Sequence, residues 1–299
     1  MTTTTALTTA TAITTATAIT PAPVTTAPVT TTVAVADAVV RYDRLGSSDD
    51  TRTPLVLVHG TGSAGAALTW GQIAPRFAED RTVITPDLSG TDRTTDGGGP
   101  LTVEGLAAQV IAVVEDAGTG PVDLLGFSMG SPVAAAVAAL RPDLVRRLIL
   151  VAGWAHTEGD EFLRSTFGLW NRLGTSDPVA FGRFVLMTGF SRGFLNAIGR
   201  EQADAMAANM PSTPGTLRHV DLDARVDIRT LLPRVQAETL VIGCRQDATV
   251  PVEHSRDLHA AIPGSTYAEL DTGHVAFFEQ PEEFRRLVDE FTLGTTLGA

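Results

Sequence analysis

LLGFSMGSP, from Leu124 to Pro132, decides how this chain is read. An apolar run ends at Gly126, Ser128 stands between Phe127 and Met129, and Gly130 opens an alanine-rich stretch. Gly-x-Ser-x-Gly alone is a weak signal: with glycine at about 7% of residues and serine similar, roughly one random chain in ten of this length carries it. Context gives it force. A strand before and a helix after place Ser128 on a tight turn that exposes its hydroxyl, and bulky residues two positions away would clash with that backbone. Gly126 and Gly130 occupy those positions, Ser131 is small, and Pro132 falls in the first helical turn, where a missing N–H is tolerated. The competing reading is a turn serine with no chemistry.

Working outward, short apolar runs alternate with helical spacing. PLVLVHG (54–60) and RTVITPDLSG (81–90) read as strands buried on both faces, and LTVEGLAAQVIAVVEDAG (101–118) as a helix stopped by Gly118. VDLLGF, SPVAAAVAAL and VRRLILVAGW continue as strand, helix and strand. After Trp154 the rhythm breaks, with helix-like segments and no convincing strand from about 155 to 235. It then resumes through ETLVIGCRQD, VEHSRDLHAAI, STYAELD and HVAFFEQPEEFRRLVDEF. The expectation is an α/β fold, a doubly wound, mostly parallel sheet, with its core at 33–154 and 236–299 and a helical cap inserted at 155–235. VAVADAVVRYDRLG ahead of it suits one strand or a hairpin. Residues 1–32 are low-complexity Thr/Ala punctuated by Pro21, Pro23 and Pro28, and read as a disordered tail. That segment has neither the basic start nor the continuous apolar stretch of a secretory signal, and threonines interrupt every candidate membrane span.

Composition narrows the function. Of 299 residues 43% are hydrophobic and 19% charged, as in globular proteins. The formal net charge of −12 argues against nucleic acid and anionic membrane surfaces as partners. A single cysteine, Cys244, rules out an internal disulfide and a multi-thiolate zinc site, and fits a reducing, cytoplasmic compartment.

A serine hydroxyl needs a base, and the base an orienting acid. Among six histidines, His274 in DTGH follows the last expected strand at its C-terminal end, where sites of such sheets gather. His254 and His259 read as solvated positions on an outer helix, and His156 and His219 lie in the insertion, where they at most line a pocket. Asp247, in the loop after TLVIGC, is the leading orienter. Glu158 or Asp160, one strand earlier, could take that place, and Asp271 reads as a turn residue. The oxyanion of a tetrahedral intermediate is expected on the N–H groups of Met129 and Thr61, the second in the glycine-rich HGTGSAG loop (59–65) that His59 braces. That loop lacks the ending of a P-loop and the G-x-G-x-x-G spacing. Half of the twelve phenylalanines lie in the insertion. The residues expected to line a substrate pocket are Phe127, Trp154, Trp170, Phe184, Met187 and Val275.

Taken together, LVLVHGTG, LLGFSMGSP, GCRQDATVP and DTGHVAFFEQPEEF resemble the α/β-hydrolase superfamily, from about Val33 to the C-terminus. Their texture is similar to the branch of enol-lactone hydrolases, carbon–carbon bond hydrolases and cofactor-free haloperoxidase-like esterases. One segment departs. Where that branch carries Asp-x-Arg-Gly-x-Gly-x-Ser, DLSGTDRTTDGGG keeps only Asp87 and Gly90 in place. The resemblance implies a serine hydrolase acting through Ser128, His274 and Asp247 and an acyl-enzyme, without metal or organic cofactor. The expected substrate is a small-to-medium apolar ester or lactone. Carbon–carbon cleavage is the runner-up and would want a basic group in the cap, for which Arg164, Arg172, Arg183 and Arg192 are the candidates. The same fold and triad also suit thioester hydrolysis, acyl transfer or a slow-turnover ligand receptor.

Overall fold

The apolar runs become strands because a sheet covered by helices on both faces leaves no solvent side to alternate with. A computed structural model of the chain describes residues 27–46 and 52–295. Its strands are β1 (Val29–Val35), β2 (Ala38–Leu45), β3 (Leu55–Val58), β4 (Val83–Asp87), β5 (Val122–Phe127), β6 (Val145–Val151), β7 (Glu238–Cys244) and β8 (Thr266–Leu270). Every residue of β3, β4 and β5 is buried. The spatial order is β1-β2-β4-β3-β5-β6-β7-β8, antiparallel across β1, β2 and β4 and parallel from β4 to β8.

This order positions the site. The chain leaves β3 for β4 on one side and returns to β5 on the other, so the loops after β3 and β5 part at the carboxyl edge of the sheet. A crevice opens at such a switch point.

The helices are α1 (Gly65–Trp70), α2 (Ala74–Phe77), α3 (Val103–Ala117), α4 (Gly130–Leu140), α5 (Glu161–Ser176), α6 (Pro178–Gly189), α7 (Arg192–Ala208), α8 (Pro214–Asp223), α9 (Val252–Ala261), α10 (Ala276–Glu279) and α11 (Pro281–Leu293). The α3 helix begins where Thr102 accepts the Gly105 N–H and ends at Gly118, whose φ of +61° only glycine adopts easily. The α4 helix is sheathed on nearly all sides, which explains why it is built from Ala, Val and Gly. Between β6 and β7 stand the four helices α5 to α8. Each opens with a side-chain cap in which Asp160, Asp177, Ser191 or Thr213 accepts a backbone N–H three residues on.

One boundary moves. The core was expected from Val33, but β1 begins at Val29, because Thr30, Thr31 and Thr32 pair with Asp43, Tyr42 and Arg41 in a hairpin. Threonine's β-branched side chain suits such an edge strand. The rest of the expected tail, 1–26, lies outside the described residues. Among the described residues no helix is long and apolar enough to cross a membrane.

Candidate active site

Ser128 sits at φ +53°, a left-handed conformation rare for a residue with a side chain. Its neighbours explain how the turn closes. A Cβ on Gly126 would lie 2.1 Å from the Gly130 carbonyl oxygen, and one on Gly130 would lie 2.3 Å from that of Val58. Both glycines are required by close approach. The Ser128 N–H donates to the Val151 carbonyl at 2.9 Å, fixing the turn to β6.

The structure brings Ser128, His274 and Asp247 into one hydrogen-bonded chain. His274 Nε2 lies 2.8 Å from Ser128 Oγ, and His274 Nδ1 lies 2.6 Å from Asp247 Oδ2. The other Asp247 oxygen accepts the N–H groups of Thr249 and Val250, each at 2.8 Å, so the carboxylate is pinned. Its acceptor role requires His274 to donate from Nδ1, which leaves Nε2 free to accept from the serine hydroxyl. The competing acids are engaged elsewhere: Glu158 pairs with Arg229, while Asp160 caps α5 and pairs with His254 at 3.1 Å. Asp271 pairs with Arg245 and Gln246 at the surface. His254 and His259 are half-buried and partnered rather than solvated, His259 bonding the Ser265 hydroxyl at 2.8 Å.

Met129 is the N-cap of α4, and Thr61 follows the His59-Gly60 pair beside it. Among the described residues neither backbone N–H meets a protein acceptor, and the helix dipole of α4 adds positive potential at Met129. A Cβ on Gly60 would lie 3.0 Å from that of Ser128, so this glycine lets the loop close on the serine. His59 is fully buried and its pKa is lowered by that burial. Its Nδ1 donates to the Gly60 carbonyl at 2.7 Å and its Nε2 accepts the Leu88 N–H at 3.1 Å, bridging the loops after β3 and β4.

Ser128 and His274 open into a cavity of about 410 Å³. Its apolar wall includes Leu68, Trp170, Phe181, Val185, Phe190 and Phe278, and among the described residues the lining holds no Asp, Glu, Lys or Arg. Of the expected lining, Phe127, Trp170 and Val275 are in place. Three expectations are corrected. Trp154 is wholly buried, its ring tilted 36° against that of Phe167 and its indole N–H on Thr157. Phe184 packs against the main core instead, and Met187 is 58% exposed. For Phe184 and Met187 the error lies in helix phase. Phe181, Val185 and Gly189 recur at intervals of four and line the cavity along one stripe of α6, while 184, at the edge of that stripe, turns to the core and 187 to the exposed side. That spacing was readable, but which face met the cavity was not.

The inward role of α8, a helix within the expected cap, has no signal in the sequence. His219 does not line the cavity; it is buried and holds the loop after β3 from behind, through Gly62.

Comparison with known proteins places the chain among similar folds and sequences. Residues 53–281 match the family model described as alpha/beta hydrolase fold. The chain is 40% identical to pyrrolizixenacetamide deacetylase of Xenorhabdus hominickii over 80% of its length and 90% of that protein's. It is 29% identical to 2-hydroxymuconate semialdehyde hydrolase of Pseudomonas putida over 80% of its length and 86% of that protein's. In shape it resembles the enol-lactonase from Burkholderia xenovorans LB400, with a TM-score of 0.75 at 21% identity, covering 88% of this chain and all of the other.

Proposed function

Because the chain belongs to the α/β-hydrolase family and is a hydrolytic enzyme, we propose that it cleaves a carboxylic ester, a lactone or an acyl amide of an uncharged, largely apolar substrate through an acyl-enzyme on Ser128. The observation that carries this reading is the bonded chain Ser128–His274–Asp247 opening into a cavity without a charged wall.

In this mechanism the Ser128 proton passes to His274 Nε2 as Oγ bonds the substrate carbonyl carbon. Asp247 holds the ring in the accepting tautomer and stabilises the imidazolium that forms. The carbonyl oxygen, now negative, accepts from the N–H groups of Met129 and Thr61. The carbon–leaving-group bond then breaks, with His274 returning its proton to the departing alkoxide or amine. Water, deprotonated by His274, next attacks the ester carbon and releases the acid and Ser128. An amine leaves only when protonated, so the amide reading depends most on His274. That reading is favoured by the 40% identical relative, named a deacetylase.

The uncharged wall weighs against carbon–carbon cleavage of a carboxylate-bearing substrate. Arg164, Arg172, Arg183 and Arg192 lie on exposed surfaces outside the lining, with Arg164 paired to Glu161 and Arg183 to Asp204. We place the enzyme in the cytoplasm, a reading supported by its single cysteine.

Intact-mass measurement after treatment with a fluorophosphonate tests the mechanism. One adduct is expected on the wild type, none on Ser128→Ala, and slow labelling of His274→Ala. An ester, lactone and acetamide panel then ranks substrates. Absence of labelling in folded wild type, with small uncharged esters also uncleaved, overturns the proposal.

A further inference from the structure

Three consecutive residues of the loop after β3 are each held by one face of the cap helix α8. The Thr61 hydroxyl donates to Asp223 Oδ2 at 2.5 Å, the Gly62 N–H donates to His219 Nδ1 at 3.2 Å, and the Ser63 N–H donates to Thr216 Oγ1 at 3.1 Å. Residues 216, 219 and 223 stand at helical spacings of three and four, hence on one side of α8. His219 reaches further: its Nε2 donates to the Ser89 carbonyl at 2.7 Å, tying in the loop after β4. With Nδ1 accepting and Nε2 donating, the ring is a neutral tautomer, consistent with burial driving its pKa down to about 3.

The close seat of α8 depends on two glycines. A Cβ on Gly90 would lie 2.5 Å from His219 Nε2, and one on Gly215 would lie 2.0 Å from the Gly90 carbonyl oxygen. Gly90 is one of the two residues that the divergent loop DLSGTDRTTDGGG keeps. Ser63 is also tied to the loop after β4, its carbonyl accepting the Asp92 N–H at 2.9 Å, whereas the Thr61 side chain is held by α8. Gly62 adopts φ +137°, and nothing lies within 4 Å of where its Cβ would be.

We infer that Asp223, through the Thr61 hydroxyl, is a positioning residue that aims the Thr61 N–H at the oxyanion, so that the cap helix α8 completes the oxyanion hole. Asp223 is wholly buried and does not line the cavity, and its second oxygen has no partner among the described residues. An isolated buried carboxyl is unfavourable for stability alone, and among the described residues its one polar side-chain contact is Thr61, whose N–H serves the proposed reaction. The inference rests on the acyl-enzyme reading and adds a role for the cap beyond covering the substrate.

The oxyanion exists only after attack, so loosening its donor lowers kcat and spares KM. Removing one donor outright costs about 100- to 1,000-fold in kcat; losing its support should cost about 10-fold. Steady-state kinetics on a p-nitrophenyl ester would be measured for wild type, Asp223→Ala, Asp223→Asn, Thr61→Val and the Asp223→Ala/Thr61→Val double variant, with circular dichroism melts of each. The expected result is a kcat lowered about 10-fold in Asp223→Ala and in Thr61→Val, with KM within about twofold. The double variant should be no worse than either single one. Asp223→Asn, whose amide still accepts from Thr61, should stay within about threefold of wild type. Wild-type kcat in folded Asp223→Ala, or losses that multiply in the double variant, overturns the inference while leaving the hydrolase reading intact. If Asp223→Ala fails to fold, unchanged kcat in Thr61→Val does the same. An inactive wild type overturns both.

Discussion

Replacing Asp223 with asparagine should stabilise the protein, and by an amount that depends on pH. Burial pushes this carboxyl up from 3.8 to about 8, and the Thr61 hydroxyl offsets only part of that. His219, on the same face of α8, stays neutral down to about pH 3 and leaves the balance untouched. Below 3.8 both folded and unfolded chains hold the Asp223 proton. Between 3.8 and about 8 the unfolded chain releases it while the folded chain keeps it, so stability is lost as pH rises through this window and is level above it. The slope is about 1.4 kcal/mol per pH unit, so the penalty grows by roughly 3 kcal/mol between pH 5 and pH 7. Asparagine has no proton to lose and keeps an acceptor for Thr61. Urea melts of wild type and Asp223→Asn at pH 5, 6 and 7 would give the difference between variants at each pH. Comparing these differences across pH cancels any constant change in hydrogen bonding. The stability gain of Asp223→Asn over wild type should rise with pH by that amount, equivalent to about 6 °C in Tm for a chain of this size. A gain that stays flat from pH 5 to pH 7 would refute the reasoning, because it would mean that Asp223 ionises when folded as readily as when unfolded.

Other perturbations separate the parts of the site. Gly126→Ala should abolish activity and lower Tm steeply, since its methyl would meet the Gly130 carbonyl oxygen at 2.1 Å, whereas Gly168→Ala, with nothing within 4 Å, should leave both nearly unchanged. On α6, Val185→Arg should raise KM for an apolar ester at least about 10-fold by placing a charge in the cavity wall, while Met187→Arg, on the exposed face, should leave KM as it is. Trp154→Phe should lower stability by about 1–2 kcal/mol, measured by denaturant melts, without changing substrate preference, because Trp154 does not line the cavity. The Cys244 thiol is buried and its pKa is raised by that burial, so iodoacetamide should not alkylate the native protein at pH 8 but should modify it quantitatively in urea.

Chain-local signals and through-space contacts explain which features were legible from sequence. A buried strand followed by glycine, a serine flanked by glycines and an alanine-rich helix are local, because each clash they avoid lies within a few residues or on an adjacent strand. Gly126 against Gly130 is such a case. The Ser128, Asp247 and His274 positions were legible for a related reason: each follows a strand of one parallel sheet, so topology alone carries all three to the same edge. The cap has no sheet to register it. Its helices are amphipathic, and sequence gives the spacing of each stripe but not its azimuth, so Phe184 and Met187 read as lining where Phe181 and Val185 line the cavity. The Thr216, His219 and Asp223 face was hidden more thoroughly. It is polar, so periodicity reads it as solvent-facing, yet all three residues are buried. What buries them is a loop more than 150 residues earlier, whose backbone donors need acceptors that a hydrophobic face lacks. A helix that turns polar groups inward toward an irregular loop is therefore read best from the unmet hydrogen-bonding needs of that loop. In this chain one of the loop residues so held is Thr61, whose N–H is proposed to hold the oxyanion.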